Sequence, residues 1–118
     1  MTETSPLSEE QIQGTFFAYV WNKYTELRYY FWHTPNGGFR TKSEAARLKT
    51  IGVVAGVADI CLTKPGTILW VEFKDHKGTQ SDHQKAFQAV QERIGNKYVI
   101  VRNTADAIAI FEEFYCLK

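Results

Sequence analysis

Apolar residues fall near helical spacing at Ile12, Phe16, Tyr19, Val20 and Trp21, behind an S-x-x-Q capping box at Ser8 and Gln11. The pattern predicts a helix over residues 8–26. "LRYYFWHT" (27–34) is dense in aromatics and reads as a strand, which "PNGGF" (35–39) breaks with a turn or loop. "TKSEAARLKTIG" opens on a T-x-x-E box, Thr41 with Glu44, and stops at Gly52, which predicts a short helix. "GVADICLT" and "TILWVEF" flank "KPG" and predict a hairpin of strands 57–63 and 67–74. After the polar loop "DHKGTQ", the S-x-x-Q signal returns in "SDHQKAFQAVQERIG", with Phe87, Val90 and Ile94 as the apolar face of a helix. "KYVIVRN" has the pattern of a strand covered on both faces, and "TADAIAIFEEFYCLK" reads as a closing helix. The order helix, strand, short helix, two strands, helix, strand, helix implies an α/β fold with a mixed sheet flanked by helices.

The 118 residues suit one domain, 1–118, with residues 1–7 as a flexible tail. Such a chain can bury roughly two-thirds of its unfolded surface. A formal net charge of +1 provides no global field to draw in a polyanion, so a nucleic-acid site must be a local cluster. Cys61 and Cys116 make neither a disulfide framework nor a zinc spacing, and His33, His76 and His83 match no common zinc pattern. "MTETSPLSEE" lacks the basic and apolar regions of a signal peptide, and no apolar run is long enough to cross a bilayer. A cytoplasmic protein in a reducing compartment is the expectation.

The hairpin carries the chemistry. Strand side chains alternate faces, so Glu72 and Lys74 in "WVEFKDHKG" project from one side. A tight turn near 64–66 sets Asp59, on the first strand, nearly opposite Glu72 on the second. Paired carboxylates repel unless something neutralises them. A hard divalent cation does so, and Mg²⁺ takes a few carboxylates with water and substrate oxygens. Metal-assisted phosphodiester hydrolysis needs this set: the metal lowers the pKa of a bound water and polarises the phosphate, while Lys74 orients that water, helps to deprotonate it or stabilises developing charge. The Phe73 carbonyl is placed to reach the metal.

"GVAD", a turn and "VEFK" resemble the PD-(D/E)XK nuclease signature, with Ala58 in place of the motif's proline. "SEEQIQ", with Glu9 and then Gln13 four residues on, resembles the first-helix motif of VRR-NUC domains; "HTPNGGFR", "KGTQSDHQ" and "GNKYVIVRN" resemble their later segments. The resemblance runs from about residue 8 to about 112 and is to standalone VRR-NUC proteins of phages and prophages. It implies a restriction-endonuclease-like core and cleavage of branched DNA such as Holliday junctions by a homodimer. It also implies Mg²⁺, with Mn²⁺ as substitute, held by Asp59, Glu72 and the Phe73 carbonyl, with Glu9 ligating directly or through water. Lys74 is then the catalytic lysine and Gln84 a supporting residue.

Plainer readings stand beside these. Glu9 sits where a helix dipole favours any acid, and Glu10 is adjacent. Gln84 is the box partner of Ser81. Asn36 and Gly37 are turn residues as well as candidates for DNA contact. Arg40, Lys42, Arg47, Lys49, Lys77 and Lys85, with His76, can meet phosphates or simply face water. The competing functions are an exonuclease or restriction-like enzyme, a non-catalytic nucleic-acid-binding module, and a structural protein whose acids are salt-bridged.

Overall fold

The computed structural model describes residues 6–35 and 41–117. Helix α1 (Glu9–Lys23) starts at the Ser8–Gln11 box and leads through a 3₁₀ turn (Thr25–Leu27) into strand β1 (Phe31–His33). Helix α2 (Lys42–Thr50) is capped by the Thr41 hydroxyl. Strands β2 (Ile60–Lys64) and β3 (Thr67–Phe73) form the hairpin. Helix α3 (Asp82–Arg93), strand β4 (Lys97–Val101) and helix α4 (Thr104–Phe114) complete the order.

The sheet runs β1-β2-β3-β4, antiparallel except for the parallel pair β3–β4 that α3 connects. Leu69, Val71 and Phe73 face α1 and α4 and bury with Ile12, Phe16, Val20, Phe31, Ile60, Leu62, Val101, Ala107 and Phe111. Phe16 lies against Phe73 and Phe111, with ring centroids 5.5 and 5.9 Å apart. The alternate residues Trp70 and Glu72 turn to the other face, beneath α3. There Trp70 stacks edge-on against Phe87 at 5.0 Å and donates its indole N–H to Gln91 Oε1 at 2.8 Å.

Several elements are shorter than their sequence patterns. Residues 27–30 are not strand, because the 3₁₀ turn and Tyr29, at φ 74°, reverse the chain first. β2 starts at Ile60 instead of 57, and β3 ends at Phe73. Asp59 thus precedes its strand and Lys74 follows its own. β4 is covered only in part, with Val101 alone buried, because it forms an edge of the sheet. The apolar face of α3 is only half realised: Phe87 packs inward, whereas Val90 and Ile94 are exposed. The predicted loop at 36–39 lies outside the described residues. No described helix is long and apolar enough to cross a membrane.

Candidate active site

Glu72 and Lys74 are the two charged residues buried among those described. Lys74 Nζ stands 3.5 Å from Glu72 Oε2, with side chains 8% and 1% exposed. The paired register ends at Ile60–Val71, so Asp59 lies one step beyond, level with Glu72. Asp59 is held through its carbonyl and through its carboxylate. Its carbonyl accepts from the Thr34 amide at 2.9 Å and approaches the His33 ring nitrogen at 2.7 Å. Its Oδ2 accepts from the Phe73 amide at 2.7 Å.

Burial first, and then the charge of Asp59, push the Glu72 carboxyl up to about 7, against the opposing influence of Lys74 and Tyr98. A lone acid so deeply desolvated would take a proton; here two carboxylates share one pole of the hairpin. The donors on offer are oxygens, the ligand type that a hard cation of the Mg²⁺ class prefers. Among the described residues no cluster of three or more His, Cys, Asp and Glu side chains is set to hold a metal. Asp59 and Glu72 are the paired oxygen donors that would hold such a cation.

Gln84, in the first turn of α3, bonds both to the helix box and to the buried pair. Its Oε1 accepts from the Ser81 amide at 2.8 Å, closing the helix box, and from Lys74 Nζ at 2.8 Å. Its Nε2 donates to Glu72 Oε2 at 2.5 Å. Glu9 approaches from the other side: a Cβ added to Gly78 would lie 3.0 Å from Glu9 Oε2 and 3.2 Å from both Asp75 Oδ1 and Lys74 Cδ. Glu9, Asp75 and the Lys74 stem thus converge where Gly78 leaves room.

Sequence patterns had not singled out Tyr98, Asp75 or Arg102. Tyr98 donates its hydroxyl to Glu72 Oε1 at 3.1 Å, and burial with the Glu72 charge raises its own pKa. Asp75 accepts from the amides of Lys77 (2.9 Å) and Gly78 (2.6 Å), and these bonds hold its carboxyl below the usual range. Arg102 Nη1 donates to the Asp75 and Gly78 carbonyls, each at 2.8 Å. The loop bearing exposed His76 and Lys77 is therefore a braced turn. The D-x-x-G spacing could have announced it, since Asp bonds backbone two residues on; nothing local announces Tyr98 or Arg102. Lys42 is exposed at the start of α2. Asn36, Gly37 and Arg40 lie outside the described residues.

A four-stranded mixed sheet with this acid–acid–lysine pole at one hairpin end, and helices on both faces, is a restriction-endonuclease-like architecture. The chain shares its fold with a solved "VRR_NUC domain protein": TM-score 0.74 at 21% identity, over 97% of this chain and 93% of that one. By sequence, no family profile and no curated protein matches.

Proposed function

We propose that the chain is a metal-dependent DNA endonuclease, selective for branched DNA such as Holliday junctions and acting as a homodimer. One arrangement carries the reading: the buried Glu72–Lys74 pair with Asp59 level beside it, in a fold shared with a VRR_NUC domain protein. Asp59 and Glu72, with the Phe73 carbonyl, would hold Mg²⁺ or Mn²⁺. When bound, the cation would supply an activated water and a polarised phosphate. An ammonium has three donors; Gln84 takes one of Lys74's and Glu72 attracts another, which leaves one for the phosphate or the attacking water. In hydrolysis the water oxygen bonds to phosphorus, one ester P–O bond breaks, and the leaving oxygen gains a proton as the water loses one. Lys74 orients that water and offsets the charge that gathers on phosphorus. His76, Lys77 and Lys42, with Asn36, Gly37 and Arg40, would meet the backbone. Two sites related by a two-fold axis suit a two-fold symmetric junction.

The test is cleavage of labelled four-way junction, flap, duplex and single-stranded DNA with Mg²⁺, Mn²⁺ or EDTA, with Lys74→Ala as control. Metal-dependent cutting of the junction alone, lost in the variant, is the expected result. Cutting of every substrate would remove the selectivity. Binding without cutting would favour a non-catalytic nucleic-acid module.

A further inference from the structure

A chain of hydrogen bonds crosses from α3 to the site: Glu92, Gln88, Gln80, Tyr98, Glu72. Its direction is set by a carboxylate at each end. Glu92 Oε2 can only accept, so Gln88 presents Nε2 to it (3.4 Å) and Oε1 to Gln80. Gln80 Nε2 must then donate to Gln88 Oε1 (2.8 Å) and, with its second hydrogen, to the Tyr98 oxygen (3.2 Å). A hydroxyl that accepts on one side turns its proton to the other, and there Glu72 Oε1 is 3.1 Å away.

Gln84 is oriented by the same logic. Its Oε1 faces two donors, Lys74 Nζ and the Ser81 amide, so its Nε2 must point at Glu72 Oε2. Each oxygen of Glu72 therefore receives one neutral donor, from β4 on one side and α3 on the other. The carboxylate is held against rotation, and Oε1, which Lys74 does not approach, keeps a lone pair.

We infer that Tyr98 is a positioning residue that holds the Glu72 carboxylate in its cation-binding orientation, with Gln80 directing the Tyr98 hydroxyl proton. The inference rests on the metal-dependent reading above. Tyr98→Phe keeps the ring against Phe87, at 6.4 Å, and removes only the donor.

The experiment is calorimetric titration of Mn²⁺ into the full chain, its Tyr98→Phe variant and its Gln80→Ala variant, with thermal midpoints in EDTA recorded alongside. Losing an outer hydrogen bond to a ligand weakens metal affinity about tenfold or more, and that loss is expected for Tyr98→Phe. Gln80→Ala should shift affinity the same way by less. In cleavage, Tyr98→Phe should raise the Mn²⁺ needed for half-maximal rate more than it lowers the rate at saturation. A purely structural tyrosine would move the thermal midpoint and leave affinity alone. Parental affinity in the folded Tyr98→Phe variant overturns the inference; if that variant does not fold, parental affinity in Gln80→Ala does so. No Mn²⁺ binding by the parent chain overturns the metal reading and this inference with it.

Discussion

Gln84 Nε2 lies 2.5 Å from Glu72 Oε2, so the amide that closes the α3 capping box also clamps the buried acid. Gln84→Glu separates these duties. Glutamate serves equally well as the box partner, but it cannot donate to Glu72 and adds a negative charge beside it. Far-UV circular dichroism should show the helix kept, while cleavage of junction DNA falls by about tenfold or more. A parental rate would leave Gln84 with the cap alone.

Asp59→Ala and Lys74→Ala should each abolish cleavage. Lys74→Ala should keep the fold and most DNA binding, measured by gel shift, while Glu72, which Lys74 pulls downward, rises further in pKa. Glu72→Ala should also weaken Mg²⁺ binding. Cleavage by Glu72→Ala at the parental rate would show that the site lies elsewhere.

The pH dependence follows from Glu72, whose carboxyl moves from 4.5 to about 7 on folding. Between those values the folded chain keeps a proton that the unfolded chain has released. The contribution of this group to stability without cation is thus fully present below 4.5 and is lost as pH rises to about 7, by about 3 kcal/mol. Urea unfolding in EDTA at several pH values should show that slope as the difference between the parent and Glu72→Gln. Mg²⁺ competes with the proton, so it should stabilise the protein more at pH about 8 than at about 5.

Gly56 has φ +90° and an added Cβ would collide with the His83 carbonyl, whereas Gly66, at φ +74°, faces open space. Gly66→Ala should cost about 1 kcal/mol of left-handed strain. Gly56→Ala adds a backbone collision with the first turn of α3 and should cost more than about 3 kcal/mol. Chemical denaturation of the two variants measures the difference.

Element order and type were readable because boxes at Ser8, Thr41 and Ser81, and the period-2 alternation of β3, are local signals. Asp59, Glu72 and Lys74 could be brought together on paper because a short turn fixes hairpin register. What escaped was set by distant partners. Thr34 and His33, far along the chain, hold the carbonyl of Asp59 just before β2, and the left-handed Tyr29 has no glycine to mark it. Tyr98 looked like one more apolar strand residue, because only the parallel register Trp70–Tyr98 turns its hydroxyl towards Glu72. Val90 and Ile94 kept helical spacing without finding a core to enter.

α1 and α4 each sink three side chains into the core, whereas α3 buries none completely. Helices with few buried apolar contacts open at less than the global unfolding cost. Amides of α3 should therefore exchange with deuterium sooner than those of β3 beneath it. Each such opening carries Gln84 away and lets water reach Glu72, whose affinity for a proton then returns towards that of an ordinary glutamate. The charge at the heart of the site is thereby tied to the breathing of the least anchored long helix among the described residues.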